Sequence, residues 1–463
     1  MNDKDFLPGY TGKARKILES NDLKVWTEIT ATKESGGHFR GVLLPRAAFT
    51  APGYINLKIG ETGYNVGVRI DENTTFVAHD YRPGEYQIPT EEIVPNPELP
   101  YVTLLGTGGT VASRLDYRTG AVLPAFTPEE LFAAVPEITE RVNLTPKTLF
   151  QILSENFKPE WWVKTAEQIA QEIESGVDGI IIGHGTDTMA YTGSALAYFL
   201  KNLPVPVIML GSQRSSDRPS SDAAINILNG STVAGYEDIG EVLISMMGST
   251  SHKYDLLHRP TRVRKMHSSR RDAFRTLSDV PVGKIDYVTG KVTYFQKPKK
   301  KANREDFWLD AKIDPKVSIL YFYPGMQPDA MDALIDKGYH GFVVVGTGLG
   351  HVSEEMYPAL ERAQEEEIPV VIVVQPLFGF VHLRVYETGR EMLARGAIEG
   401  GNMLPEAAYV KLIYVLGHTR EPTEVKQMIQ RPIAGEITFR EPKYGYLLLQ
   451  GSEANLDKVL QTI

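Results

Sequence analysis

Residues 165–193 read TAEQIAQEIESGVDGIIIGHGTDTMAYTG. Ala166, Ile169, Ala170 and Ile173 fall on one stripe at helical spacing, and Gly176 follows as a C-terminal cap. The run GIIIG (Gly179–Gly183) has no polar face, as expected of a strand covered on both sides by crossover helices. A glycine-rich turn comes next, Gly183 to Gly193. Helix, buried strand and glycine turn together make one unit of a parallel α/β sheet.

The same signature extends outward. Apolar runs YVTLL (Tyr101–Leu105), VPVIMLG (Val205–Gly211) and VLISMM (Val242–Met247) predict further strands of a larger parallel-sheet domain over about 101–290. VSILYFYPG from Val317, GFVVVGTGLG from Gly341 and IPVVIVV from Ile368 predict a smaller α/β domain over 313–435, leaving a tail at 436–463. Between the two, at 291–312, lies the basic stretch YFQKPKKKANRE, read as a solvated connector rather than a phosphate-contacting patch.

Residues 1–80 are different. LKVWTEI from Leu23, HFRGVLL from His38, YINLKI from Tyr54 and YNVGVRI from Tyr64 are short β-branched and aromatic runs punctuated by glycine and proline. They predict a small all-β barrel domain, distinct from the sheet that follows. A proline-rich linker over 81–100 separates it from the body.

The whole chain has 463 residues, which suggests about three domains and needs no staple for stability. It has no cysteine, so disulfides, thiolate metal sites and cysteine nucleophiles are excluded. With 49 basic against 58 acidic residues the net charge is −9, unfavourable for autonomous binding of nucleic acid or an anionic membrane. MNDKDFLPGYTGK lacks the apolar segment of a signal peptide, and no window reaches the length of a membrane span; the expectation is a cytoplasmic chain.

Three glycine turns follow predicted strands: GTGGTVAS (Gly106–Ser113), GHGTDTMAYTG (Gly183–Gly193) and GTGLGHVS (Gly346–Ser353). Ligands in open α/β sheets sit at such carboxyl ends. None of the turns ends in the GK[ST] of a P-loop, and no convincing dinucleotide fingerprint, HExxH pair or GxSxG elbow occurs. The threonines Thr107, Thr110, Thr186 and Thr188 are more specific, because a hydroxyl among glycines is sterically open to attack an electrophile. It needs a base. Asp187 and Lys265 are candidates, the latter within HRPTRVRKMHSSRR (His258–Arg271). Arg262, Arg264, Arg270 and Arg271 crowd Lys265 in sequence, and like charges close in space would lower its pKa. By composition alone this run reads as a solvated basic loop. The ten histidines read as capping or surface residues rather than metal ligands.

LLGTGGTVAS, IIIGHGTDTMAYTGSALAYFL and PVIMLGSQRSSDRPSSDAAIN, in this order and each following a predicted strand, closely resemble the bacterial-type L-asparaginase and glutaminase family. The resemblance covers about 101–435 and implies an asparaginase-like two-domain body. It implies Thr110 as nucleophile, Tyr117 in YRTG as mobile tyrosine, and Thr186 with Asp187 as the Thr-Asp pair. Lys265, nine residues before Phe274, takes the place of the family lysine. Ser154 and Glu155 in ILSEN fall at substrate-binding positions, as do Gly109, Gly185 and Ser212, with glutamate where amidase relatives often have glutamine. The implied reaction is hydrolysis of a small amide through an acyl-enzyme, with backbone N–H groups of the glycine turns holding the oxyanion. The immediate base stays open between Tyr117 and the Thr186–Asp187–Lys265 relay. Residues 113–126 have the composition of a lid.

A β-domain ahead of such a body resembles the D subunit family of archaeal glutamyl-tRNA(Gln) amidotransferases. That likeness implies a glutaminase component of a ligase complex, passing ammonia to an E subunit that converts Glu-tRNA(Gln) to Gln-tRNA(Gln). It further implies a homodimer of this chain within a heterotetramer, tRNA held mainly by the partner, and no cofactor or metal in the present chain. ATP and magnesium belong to the partner's site. The alternative is a free-standing cytosolic asparaginase or glutaminase.

Overall fold

The computed structural model describes residues 5–46, 51–60, 64–81, 95–108, 113–116, 121–124, 135–214, 220–251, 253–443 and 446. The amino-terminal unit begins with a helix, α1 (Gly12–Ser20), that the run of β-branched segments does not announce. Its apolar stripe is only Ala14, Ile17 and Leu18, too narrow to stand out among GKARKILES. Five strands follow: β1 (Thr27–Thr32), β2 (His38–Leu44), β3 (Tyr54–Ile59), β4 (Asn65–Arg69) and β5 (Thr75–Tyr81). They form an antiparallel sheet in the order β4-β3-β2-β1-β5. Alternation sends Ile29, Ala31, Leu43, Ile55, Leu57 and Val68 to one face, where they share a core with α1. The Tyr10 hydroxyl, buried in that core, donates to Leu44 O (2.8 Å) and accepts from Asn56 N (3.1 Å).

The larger α/β unit is a mixed sheet of eight strands. Its parallel half comprises β6 (Tyr101–Gly106), β9 (Asn143–Thr148), β10 (Gly179–Gly183), β12 (Val207–Leu210) and β13 (Val242–Met247). A short hairpin, β7 (Ser113–Asp116) and β8 (Ala121–Pro124), lies between β6 and β9 in sequence, and β11 (Leu200–Lys201) precedes β12. Past β13 the sheet turns antiparallel through β14 (Tyr254–His258), β17 (Gly283–Asp286) and β18 (Val292–Tyr294). A separate hairpin, β15 (Val263–Lys265) with β16 (Phe274–Thr276), projects from this half. Edge strand β9 carries Pro146, which a central strand could not accommodate.

Helices α2 (Pro159–Glu174), α3 (Met189–Phe199) and α4 (Ala223–Tyr236) cross between the parallel strands. On α2, Ala166, Ile169 and Ile173 are buried with Ala170 half-buried, and Gly176 takes φ +94° just past the helix end. Helix α3 is apolar nearly all round. It is covered by the sheet on one side and by a helix of the smaller unit on the other.

The connector is not a free linker. Phe295 is buried, Gly240 N donates to Lys299 O (2.8 Å), Ala302 N to Leu203 O (3.0 Å), and β19 (Trp308–Leu309) pairs with β11. Four parallel strands build the smaller unit: β20 (Val317–Tyr321), β21 (Gly341–Gly346), β22 (Val370–Val374) and β23 (Ala397–Glu399). Around them lie α5 (Asp329–Asp336), α6 (Tyr357–Glu365), α7 (Glu387–Ala394), α8 (Pro405–Leu416) and α9 (Pro422–Gln430). Val343, Val371, Leu412 and Val415 join Ile180, Met209 and Ile244 in one apolar cluster, so the two α/β units share a core through α3 and α8. The chain goes on packing beyond 435: the Glu436 carboxylate is fully buried against Lys411, and Glu441 accepts from Gly379 N (2.7 Å).

Candidate active site

The three motif-bearing strands are neighbours. β6 pairs with β10 in a register that sets Gly106 beside Gly183, and β10 pairs with β12 so that Gly183 lies beside Leu210. The turns after all three strands therefore leave the sheet side by side, at its carboxyl edge. Backbone bonds tie them together: Thr107 N donates to Gly183 O (2.9 Å), and His184 N to Leu210 O (2.9 Å).

Glycine at these turns is a matter of space. A Cβ on Gly185 would lie 2.6 Å from Ser154 Cβ, and one on Gly211 would lie 2.7 Å from Thr186 Cγ2. These approaches bring Ser154 and Thr186 onto the edge. Ser154 is buried and Glu155 beside it is exposed. Ser212, fully buried, follows Gly211 directly.

Hairpin β15–β16 approaches the same edge. Lys265 stands directly opposite Phe274, so the nine-residue spacing is the span of a hairpin. The Lys265 ammonium donates to Thr186 Oγ1 (3.0 Å) and to Asp187 Oδ1 (2.7 Å), residues nearly 80 positions earlier. Thr186 is 6% exposed, whereas the Asp187 side chain is 67% exposed and the Lys265 side chain 14%. A half-covered hydroxyl–ammonium–carboxylate relay thus faces the edge, with an open carboxylate able to receive a cationic group. Held this way, Lys265 must first release a proton before it can take one from Thr186.

Thr110, Gly109 and Tyr117 lie outside the described residues, as do 117–120 and 125–126 of the 113–126 segment. The other threonines of the turns are structural. Thr107 is buried and its hydroxyl donates to Gly183 O (3.0 Å), and Thr188 Oγ1 donates to Ser154 O (2.7 Å).

The basic run is a solvated loop only at its tip, residues 267–270, which are exposed. Arg262 is fully buried, donating to Asn402 O (2.7 Å) and Thr438 Oγ1 (2.9 Å) and so tying the hairpin base to the smaller unit. Arg264 pairs with Glu406 (2.8 Å), Arg270 with Asp272 (2.8 Å), and Arg271 donates to Ser220 O and Thr250 O. Each guanidinium has its own acceptors, and the close charged neighbour of Lys265 is a carboxylate rather than an arginine.

Two histidines depart from the surface or capping role expected of them. His184 is fully buried, its ring nitrogens bonded to Gly185 O (2.7 Å) and Thr192 Oγ1 (2.9 Å), and burial pushes its pKa down to about 4. Burial, with Arg275 nearby, pushes His258 down to about 3. Sequence reasoning also missed Asp222. Its carboxylate accepts from Gln213 N and Arg214 N (both 3.0 Å) and braces the turn after β12, although burial raises its pKa. The signal was present as an aspartate heading the helical stretch AAIN. Among the described residues no group of three or more His, Cys, Asp or Glu side chains could hold a metal ion, and no helix is long and apolar enough to cross a membrane.

Comparison with known proteins agrees with this architecture. Residues 101–300 match the family model "Asparaginase, N-terminal", and 316–429 match "Glutaminase/Asparaginase C-terminal domain". Among solved structures, the thermostable L-asparaginase from Thermococcus kodakarensis is similar, with TM-score 0.65 and 30% identity over 73% of this chain and 99% of that one. A probable cytoplasmic L-asparaginase from Campylobacter jejuni gives TM-score 0.61 and 26% identity over 72% of this chain and all of that one. Similarity along nearly the full length is found with the D subunit of glutamyl-tRNA(Gln) amidotransferase. The Pyrococcus furiosus protein is 44% identical over 92% of this chain and 98% of its own, and that of Pyrococcus abyssi 45% over 91% and 97%. The chain therefore belongs to the D subunit family of glutamyl-tRNA(Gln) amidotransferases, built on an asparaginase-type body.

Proposed function

We propose that this chain is the glutaminase of a tRNA-dependent amidotransferase. The Thr110 hydroxyl attacks the side-chain carbonyl of glutamine, ammonia leaves, and water hydrolyses the acyl-enzyme to glutamate. Tyr117 or the Lys265–Thr186–Asp187 relay takes the proton, and backbone N–H groups at Gly109 and Gly185 stabilise the oxyanion. Ser154 grips the substrate α-carboxylate, Glu155 and the open Asp187 carboxylate its α-ammonium, and Ser212 lines the same edge. The observation that carries this reading is the bonding of Lys265 to both Thr186 and Asp187 where the glycine turns converge. Ammonia passes to an E subunit, which uses ATP and magnesium to amidate Glu-tRNA(Gln). This chain itself needs no cofactor, and forms a homodimer within the heterotetramer. Support for the partner comes from the name shared by relatives that match nearly the whole chain.

The test is ammonia release from glutamine and from asparagine, with and without the E subunit and Glu-tRNA(Gln). Weak glutaminase activity alone and strong activity in the complex are expected. Equal turnover of both amides by the isolated chain would count against it. The second reading, a free-standing asparaginase, draws on solved asparaginases that align over essentially their full length. It requires that a chain lacking residues 1–95 keep full activity without any partner.

A further inference from the structure

The hairpin that carries Lys265 is short, three residues in each strand, and its tip is exposed. Its own pairing is too little to fix an ammonium on a long, flexible stem to hydrogen-bond precision. The support has to come from outside it. Successive side chains of a strand point to opposite sides. On β15, Lys265 turns to Thr186 and Asp187 of the larger unit, whereas Arg264 turns to the smaller unit.

Arg264 Nε lies 2.8 Å from Glu406 Oε1, the Arg264 side chain being 29% exposed and that of Glu406 10%. A second nitrogen of the guanidinium donates to the Tyr321 hydroxyl (3.3 Å), at the end of β20. Glu406 stands in the first turn of α8, where the helix dipole favours a carboxylate. Its other oxygen is buried with no hydrogen-bond partner among the described residues, so Arg264 is what answers its charge at close range. These contacts close a circuit. Thr186 and Asp187 lead into α3, which starts at Met189. Helix α3 packs on α8 in the shared core, with Tyr191 edge-on to Tyr409, ring centroids 6.1 Å apart. Helix α8 presents Glu406 to Arg264, and the next residue, Lys265, returns to Thr186. Arg262 anchors the base of the hairpin; Arg264 is the tie beside the ammonium itself.

We propose that Arg264, through its ion pair with Glu406, is a positioning residue for Lys265. The smaller unit, which supplies no member of the relay, thereby holds the relay ammonium against Thr186. The proposal deepens the glutaminase reading and rests on it.

The test compares Arg264→Met, Glu406→Gln, the double variant and Lys265→Met in two assays, with a melting curve for each. The first is ammonia release from glutamine by the full chain with the E subunit and Glu-tRNA(Gln). Each single variant should lower kcat by about 10–100-fold and leave KM within about threefold. The double variant should lose no more than the worse single one, because both act through one pair. It leaves no unpaired buried charge, so it carries the test if a single variant does not fold. The second assay needs no activity: acetylation of the full chain by dilute acetic anhydride, resolved by residue. Labelling of Lys265 relative to Lys147 should rise at least about threefold in the same variants, the scale of a partly exposed ion pair. A purely structural tie would lower the melting temperature but leave kcat and Lys265 labelling of the folded chain at parent values, and that result would overturn the proposal. So would a multiplied loss in the double variant, or lowered kcat with unchanged labelling. Parent-like activity in Lys265→Met would overturn the relay reading as well. Loss of activity there, with parent-like Arg264→Met and Glu406→Gln, would overturn the positioning role alone.

Discussion

Two glycine turns of this molecule look alike on paper. Gly183–Thr188 reads GHGTDT and Gly346–His351 reads GTGLGH, and each leaves the carboxyl end of a buried parallel strand. In the first, the Thr186 hydroxyl meets an ammonium from a distant hairpin. In the second, Thr347 closes on its own turn: its N–H and its hydroxyl both donate to His351 O (2.9 and 3.1 Å). A glycine-threonine turn at a strand end is thus a permissive setting, and what another part of the chain brings to it decides whether chemistry follows.

That contrast can be broken by mutation. The largest expected effect is Lys265→Met or Thr186→Ala, which should lower glutaminase kcat/KM by about 10²–10⁴-fold, as loss of a positioned proton-transfer group does. Thr347→Ala should leave it within about threefold of the parent chain, since it removes only a local bond. A tenfold loss in Thr347→Ala would erase the distinction.

Next in size is the pH response of the first turn. His184 has a folded pKa of about 4 and an ordinary value of 6.5, so between these the unfolded chain binds the extra proton. The stability it supports is present above pH 6.5 and lost as pH falls towards 4, by about 3 kcal/mol. His184→Gln should flatten this part of the melting-temperature profile, and a slope as steep as the parent's would reject that cause.

Glycine substitutions come third. Gly185→Ala drives a Cβ to 2.6 Å from Ser154 and should cost about 1–3 kcal/mol, raising KM because Ser154 must shift. Gly348→Ala meets open space and carries only the penalty of φ +55°, about 1 kcal/mol, with KM unchanged. Smallest is Thr107→Val, which removes the buried bond to Gly183 O at a cost of about 1 kcal/mol by denaturant titration.

Strands without a polar face, such as β10 and β22, were legible because continuous apolar runs have few other uses. Others were hidden for identifiable reasons. β9 holds Pro146 and buries little beyond Leu144, β14 carries the buried Asp255, and β17 and the edge strand β18 are short amphipathic pieces. β5, largely exposed, reads as loop. At the site, Thr186 was legible as an open hydroxyl and Asp187 and Lys265 as candidate bases, but their grouping only as family positions, since their mutual bonds span about 80 residues. Arg262 was misread for the opposite reason. A guanidinium in a basic run looks solvated until the carbonyls that receive it, Asn402 O among them, are brought from elsewhere.

By itself, then, the sequence determined the alternation of buried strands and helices, the glycines at strand ends and the absence of thiol chemistry. These follow from local periodicity and residue type, which need no knowledge of distant neighbours. Tertiary structure alone decided which threonine faces a charged partner, which arginines are buried, and that the connector packs on the body. Each of these is a pairing between groups far apart in the chain, and neither propensity nor spacing carries that information.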